Sequence, residues 1–363
     1  MSKRKAKSEA IAVEPKAAKL DEYKAKRDFG ATPEPAGSVS PGDEHRFVIQ
    51  QHSATRLHWD LRLEHDGVLA SWALPRGVPW HPKENHLAVH TEDHPLEYLD
   101  FHGDIPDGSY GAGTMTVWDT GRYDIEEWEE RKAVVVLHGA RARGKYALFA
   151  TRGRDWMIHR MDPPQDPNRR PPDDTLRPMV ATPGSLPQGK GWAFEVEWSG
   201  LRVLLANQPG LTTLTDAAGR DVSAAFPEIR RIGRALGAEE VVLDGVVTAA
   251  AGRDSIDRRL AAKSDSTIRR IARDQPAAFV GFDLIWHEGY ECWSRPWQQR
   301  RDRLDSLELG GDHWQVPAAH IGDGAALADA ARAQHVAALI AKQTSASYTP
   351  GAASPNWIEV SLE

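Results

Sequence analysis

Cysteine is almost absent from this 363-residue chain: Cys292 stands alone, which excludes an internal disulfide and any CxxC redox or metal motif. It has no nucleophile context and reads as a bystander. Long apolar runs are missing too. No stretch approaches the ~20 residues of a helical membrane span. The opening MSKRKAKSEAIAVEPKAAKL holds no signal-peptide hydrophobic segment. A reducing, cytoplasmic setting without membrane contact is the expectation. Lysine becomes scarce late in the chain, where only Lys190, Lys263 and Lys342 follow residue 178. Excess positive charge is lacking overall, and the net −7 argues against non-specific binding of nucleic acid. That charge is uneven: residues 1–27 carry nine Lys/Arg and four Asp/Glu, a local +5 on an acidic body. Such an arm suits contact with a polyanion, or serves only as a solubilising tail.

Hydrophobic residues at 40% and charged residues at 27% exclude a wholly disordered or collagen-like chain. Length favours two domains. Residues 1–26 read as a disordered basic arm. Residues 27–161 hold short β-like runs, among them RFVIQQH, RLHWDLRLEH, VLASWAL, TMTVWDT, KAVVVLHG and DWMIHRM. HDG, PDGSYGAG, DTGR and TRGRD supply turn signals at the spacing of a small all-β barrel or sandwich. Residues 162–178 contain six prolines and read as a semi-rigid linker. From 179 to 363 the pattern is α+β. WAFEVEWSGLRVLLA, EEVVLDGVVTAA and AAFVGFDLIWHEG read as strands, and FPEIRRIGRALG, PWQQRRDRLDSL and DGAALADAARAQ as amphipathic helices.

The most informative stretch is QQHSATRLHWDLRLE, residues 50–64. In a strand, Leu57, Trp59, Leu61 and Leu63 share one face, and His58, Asp60, Arg62 and Glu64 share the other. A fold-back over Ser53–Arg56 would bring His52 beside His58. Two imidazoles and a carboxylate suit Mn²⁺, Zn²⁺ or Fe²⁺, and a neighbouring guanidinium suits a phosphate. HTEDHPLEY adds His94 and Tyr98 as partners for an oxyanion. A lone H-x-D on a strand is ordinarily a solvated face, and the convergence of several groups counts against that here. A non-haem iron oxygenase uses a similar triad. The 2-oxo-acid type needs an arginine shortly after its distal histidine, whereas the next arginine after His94 is Arg122.

RDFGATPEP, FVIQQHSATRLHWDLRLEHDGVLASWALPRG, LAVHTEDHPLEY and FHGDIPDGSYGAGTMTVWD together resemble the 3′-phosphoesterase domain of bacterial DNA ligase D. The resemblance implies a β-barrel that trims DNA 3′ ends during non-homologous end joining, removing 3′-phosphates and terminal ribonucleotides. It implies His52, His58 and Asp60 as ligands of a divalent metal, usually Mn²⁺, with Zn²⁺ or Co²⁺ as alternatives. Arg62, His94 and Tyr98 match residues around the scissile phosphate. Arg27, Asp28 and Glu34 match a segment needed for ribonucleotide removal. Trp59 and Arg76 depart from the family's common Tyr and Lys. The implied partners are DNA 3′ ends on a primer-template, and Ku or the ligase and polymerase components of end joining in a nucleoid-associated setting. A non-catalytic scaffold that only holds DNA ends is the competing reading.

From about Pro178, FEVEWSGLR, VVLDGVVTA, FDLIWHEG, ALIAKQ and SPNWIEVSL resemble, in order, the adenylation-domain motifs of ATP-dependent DNA ligases. This nucleotidyltransferase-like outline departs from the family at the residues that do the chemistry. Glu197 stands at the nucleophilic lysine and Ser199 at the following aspartate. Val246 and Ala337 replace glutamates, and Glu359 and Ser361 replace lysines of the last motif. The expectation is a catalytically dead pseudo-ligase without ATP turnover, and without the oligonucleotide-binding barrel that normally follows.

Overall fold

The computed structural model describes residues 20–37, 39 and 44–362. It divides into two units, 1–165 and 166–363. Residues 1–19 of the expected arm lie outside the described residues. Residues 20–26 belong to the first unit: helix α1 (Asp21–Ala25) buries Tyr23, which packs with Val48, Leu69 and Tyr98. The proline-rich stretch is held at both ends. The Asp162 carboxylate accepts from Lys145 N at 2.7 Å, whereas Arg170 N donates to Gly289 O at 2.8 Å and Leu176 packs on Trp286 and Trp357.

The first unit is antiparallel. Its strands are β1 (Arg46–Ser53), β2 (Leu57–His65), β3 (Val68–Leu74), β4 (Asn85–His90), β5 (Gly103–Ile105), β6 (Gly113–Glu129), β7 (Lys132–His138), β8 (Arg143–Arg152) and β9 (Asp155–Arg160). The order β1-β2-β3-β4-β9-β8-β7-β6 is closed by pairing of β6 with β1, giving an eight-stranded barrel with β5 attached to β6. The β2–β3 turn puts Asp66 at φ 52° and Gly67 at φ 79°, the left-handed pair that a two-residue Asp-Gly hairpin requires.

DTGR, expected as a turn, instead lies inside the 17-residue β6. Gly121 is there for close approach: a Cβ would meet His138 O at 2.6 Å and the Phe47 ring at 2.9 Å. The irregularity appears as a register shift opposite Ile49/Gln50, which bends the strand without ending it.

The second unit contains two sheets. One comprises β10 (Val180–Pro183), β11 (Trp192–Val196), β19 (His320–Ile321), β20 (Ala338–Gln343) and β21 (Ala353–Ser361). The other is built on β12 (Leu201–Gln208), β13 (Leu211–Asp216), β14 (Val241–Ala249) and β15 (Ala277–His287), extended by the two-residue β16 (Tyr290–Glu291), β17 (Gly310–Gly311) and β18 (Trp314–Gln315). The run expected as one strand, WAFEVEWSGLRVLLA, is therefore two strands in different sheets, and Glu197–Gly200 connect them. The three expected helices form as α2 (Ile232–Leu236), α5 (Trp297–Asp305) and α6 (Ala325–Ala333). α3 (Arg253–Ala261) and α4 (Asp265–Asp274) were not foreseen, being dominated by charge, with Ile256 and Ile268 as their buried aliphatic anchors.

Buried ion pairs fasten this unit. Arg300 Nε and Nη2 donate to Asp283 at 2.7 and 2.9 Å, and both side chains are wholly inaccessible. Arg300→Ala would strand a buried carboxylate, at a cost of about 3–5 kcal/mol. Urea unfolding followed by tryptophan emission should show a lower midpoint for the second unit, with the first unit's transition unmoved.

Candidate active site

Antiparallel register sets His52 opposite His58 and Gln50 opposite Asp60 on β1 and β2. The expected fold-back therefore pairs the two imidazoles, with ring centres 4.7 Å apart. His52 Nδ1 lies 3.7 Å from Asp60 Oδ2, and His58 Nε2 lies 3.7 Å from Asp60 Oδ1. One donor atom from each residue falls within 4.8 Å of the others. Separations of 3.7 Å exceed hydrogen-bond length. They approach the roughly 3–3.5 Å between ligands that share a cation at ~2.1 Å bond lengths. His58 Nδ1 faces Arg56 O at 3.0 Å; a carbonyl only accepts, so Nδ1 carries a proton and Nε2 is the nitrogen turned towards Asp60. His52 Nε2 is buried without a hydrogen-bond partner. An orphaned nitrogen within a two-imidazole, one-carboxylate cluster fits a divalent cation.

Arg62 adjoins this set and is 3% exposed. Its Nη2 donates to Asp60 at 3.0 Å, Nε to Gln50 Oε1 at 2.7 Å and Nη1 to Ser71 Oγ at 3.1 Å. One N–H therefore remains on each terminal nitrogen. The guanidinium lies over the Tyr98 ring at 4.7 Å. Gln50 is fixed in turn by donating to Tyr98 O and Phe101 O at 3.0 and 2.8 Å. Burial works to raise the Asp60 carboxyl, but Arg62 and the two histidines outweigh it and hold it at about 2. Asp60 is thus an anion at any working pH.

His94 bridges to Leu69 through paired backbone hydrogen bonds. Its Nδ1 meets Glu92 O at 2.8 Å, and its Nε2 faces Arg27 Nη2 at 3.3 Å. Burial first, then the Arg62 and Arg27 charges, hold the imidazole well below its usual range. It is neutral near pH 7, with the proton on Nδ1 and the lone pair on Nε2. Tyr98 donates to the Glu34 carboxylate, and burial raises its phenol far above the ordinary value.

Arg27 joins Glu34 at 2.7 Å, Glu92 at 3.0 Å and the Tyr23 ring at 3.9 Å. Of the expected N-terminal trio, Arg27 and Glu34 therefore reach the His94–Tyr98 group. Asp28 does not: it is exposed and accepts from Gly30 N at 3.0 Å in its own turn. Gln50, Ser71, Glu92 and Tyr23 were missed. Gln50 had a usable signal, since it shares strand parity with His52.

In the second unit, Val246 is buried among Phe282, Trp286 and Trp357. Ala337, Ser199, Glu359 and Ser361 are exposed. Glu197 is half-buried and receives a 3.4 Å contact from Ser199 Oγ. Burial and the nearby Glu359 raise its carboxyl. Lys342 is buried 2.8 Å from Glu195 and lies over the Trp357 and Phe282 rings at 4.3 and 4.5 Å. Arg202 forks onto Asp244 at 2.7 Å through both Nε and Nη2, and Tyr348 donates to Asp244 at 2.7 Å.

Residues 50–150 match the DNA Ligase D 3′-phosphoesterase domain, and residues 178–360 match the ATP dependent DNA ligase domain. The multifunctional non-homologous end joining protein LigD of Mycolicibacterium smegmatis is 39% identical over 95% of this chain and 46% of its own length. Its Pseudomonas aeruginosa counterpart is 32% identical over 82% of this chain and 41% of its own. The chain thus spans about half the length of these curated relatives. The solved structure of mycobacterial DNA ligase D complexed with ATP and MES is 31% identical, covering 52% of this chain and 61% of that one, with a TM-score of 0.44. The chain belongs to the ligase D family, with a 3′-phosphoesterase domain followed by an ATP dependent DNA ligase domain.

Proposed function

We propose that the first unit is a metal-dependent phosphoesterase acting on DNA 3′ ends in end joining, removing 3′-phosphates and terminal ribonucleotides, and that the second unit does not adenylate. The observation that carries the first part is the His52–His58–Asp60 set with the buried Arg62 fork against it. These three residues would hold the divalent cation, Mn²⁺ by resemblance, which supplies charge neutralisation and acidification of water at the phosphorus. The free N–H on each Arg62 terminal nitrogen suits a non-bridging phosphate oxygen. His94, neutral with its lone pair on Nε2 beside Arg27 Nη2, suits accepting a proton or a hydrogen bond from a water or a 2′-hydroxyl. Arg27 and Glu34 hold the Tyr98 hydroxyl and His94 in place from the N-terminal side. DNA ends are the substrate under this reading, with Ku or other end-joining components as partners.

His52→Ala, His58→Ala and Asp60→Ala should each lower 3′-phosphate release from a DNA primer by at least about 100-fold, because even outer-shell partners of metal ligands are worth 10–100-fold. The test is phosphate release at limiting Mn²⁺, with circular dichroism confirming the barrel. Retention of most activity in any one variant would sink the ligand assignment.

His94→Ala and Arg62→Lys should separate by role. His94→Ala should reduce kcat by about 10²–10³ while Mn²⁺ affinity, read by calorimetry, stays within about tenfold of wild type. Arg62→Lys should impair both, since a single ammonium nitrogen lacks the planar fork whose three nitrogens reach Asp60, Gln50 and Ser71 separately. Equal loss of metal affinity in the two variants would contradict this division.

The second part rests on Glu197, an anion at the position that needs an amine nucleophile. Incubation with radiolabelled ATP and a denaturing gel should give no covalent adenylate, and nicks should stay open. Glu197→Lys alone should not restore labelling, with Ser199, Val246, Ala337, Glu359 and Ser361 still in place. A labelled full-length band from the unmodified protein would show a working ligase.

A further inference from the structure

The mouth of the metal set carries an exposed aromatic ring, Tyr110, to which the phosphoesterase chemistry gives no part. Tyr110 is 51% exposed and stands in PDGSYGAG between β5 and β6. Three glycines at positive φ, Gly108 at 86°, Gly111 at 77° and Gly113 at 143°, let this loop turn twice. Ser109 N donates to Pro106 O at 3.1 Å, and Ala112 N to Ser109 O at 3.2 Å. The end of the loop is clamped to β1 directly after His52: a Cβ on Gly113 would meet Ser53 O at 2.5 Å, and one on Gly111 would meet His52 Cε1 at 4.0 Å. Neighbouring Cα atoms are about 3.8 Å apart, so the Tyr110 side chain leaves the backbone beside a residue of the metal set. From there its ring reaches the His94 side of the site. The hydroxyl accepts from Lys26 Nζ at 3.4 Å, and Arg27, which touches His94, has its Cζ 5.6 Å from the ring centre.

The neighbours of this ring narrow what it can bind. Lys26 Nζ is 4.9 Å from the ring centre but 3.4 Å from the hydroxyl, so the cation stands at the hydroxyl edge and not over the middle of the face. The Arg27 guanidinium lies instead over Tyr23 at 3.9 Å. Half of the Tyr110 surface is open, and among the described residues no second ring packs on it. Both cations are already answered by carboxylates, Lys26 by Glu92 at 2.9 Å and Arg27 by Glu34 and Glu92 at 2.7 and 3.0 Å, so this edge is not a second phosphate trap. An open phenol ring beside a place for a terminal phosphate fits a flat π-face, and every nucleobase has one. We infer that Tyr110 is the stacking platform for the nucleobase of the 3′-terminal nucleotide, an assignment that rests on the first unit's being a phosphoesterase of DNA 3′ ends. The end is held by its base at Tyr110 while the metal set and Arg62 take its phosphate. Stacking reads a face and not an edge, so the subsite serves all four bases alike.

The experiment is a cycle on the full-length chain. Wild type and Tyr110→Ala are each titrated with a 3′-phosphorylated primer-template whose terminal nucleoside either carries a base or is abasic. Affinity is read by fluorescence anisotropy at fixed salt, with EDTA present so that the 3′-phosphate stays in place. Tyr110→Ala should weaken binding of the base-bearing end about 5- to 150-fold, the worth of one base–aromatic stack, and leave the abasic end's affinity where it was. Tyr110→Phe and Tyr110→Trp should keep the wild-type preference for a base, which a role through the hydroxyl and Lys26 would not allow. Adenine, guanine, cytosine and thymine at the terminus should bind alike. Equal weakening of both ends by Tyr110→Ala would overturn the inference, because the ring would then act through the loop or the phosphate. So would a wild-type protein with no preference for the base-bearing end. Failure to release phosphate from either end when Mn²⁺ is added would instead remove the phosphoesterase reading on which the subsite rests.

Discussion

The buried guanidinium of Arg62 is the constraint on which the first unit's polar centre depends. It is almost wholly buried, so its charge must be answered largely within the protein. Asp60 answers the charge, Gln50 and Ser71 answer the geometry, and the Tyr98 ring covers the face. These partners come from β1, β2, β3 and the 3₁₀ turn Leu96–Leu99, so one side chain registers three strands and a connection against each other. Gln50 repeats the device by holding two carbonyls of that connection. The carboxylate that would ligate a metal is thereby fixed from the side opposite its histidines.

Charge balance in the same neighbourhood explains why it suits a phosphate. Lys26, Arg27 and Arg62 are met by Glu92, Glu34 and Asp60 through direct ion pairs. The cluster is near neutrality without a metal, and a divalent cation would leave it with a surplus matching a phosphate monoester dianion. His94 sits among these cations as a neutral ring. A protonated His94 would add a further positive charge beside Arg62 and Arg27 in a buried site, so the lowered ionisation follows from burial and from those two neighbours.

Strand alternation made His58, Asp60 and Arg62 legible as one face, and a short fold-back made His52 their neighbour. Alternation alone did not show that this face is covered. Asp60, Arg62 and Glu64 are as buried as Leu61 and Leu63, because Tyr23, Tyr98, Leu99 and Ile105 pack over Val48 and Leu69 on the same side. Those covering residues come from segments distant in sequence, one of them from within the supposed arm, and no local period announces such a roof. Glu92 was hidden for the same reason: its role rests on Lys26 and Arg27, some 65 residues earlier. The barrel strands were legible because β-branched and aromatic runs alternate between turns. DTGR misled because a glycine tolerates close backbone approach as readily as it makes a turn.

The second unit separates what a fold needs from what nucleotidyl transfer needs. Its core is held by alternating apolar positions and by pairs such as Arg300–Asp283 and Arg202–Asp244, where each buried ion has its counter-ion. None of these pairs requires a nucleotide. Glu197 and Ser199 lie in the connection between β11 and β12, and Glu359 and Ser361 near the end of β21, positions where substitution disturbs little packing. Val246 belongs to the apolar cluster with Phe282 and Trp357. Lys342, the buried lysine of this unit, is likewise engaged within the fold. It is spent on Glu195, and burial pushes its ammonium down while pushing the Glu195 carboxyl up. Glu197 and Glu359 face each other closely enough that their repulsion adds to burial in raising the Glu197 carboxyl. Under the proposed reading of this unit, an incoming triphosphate would meet two carboxylates where a lysine nucleophile and a pyrophosphate-neutralising lysine are needed, an arrangement that the packing around these exposed and half-buried positions does not oppose.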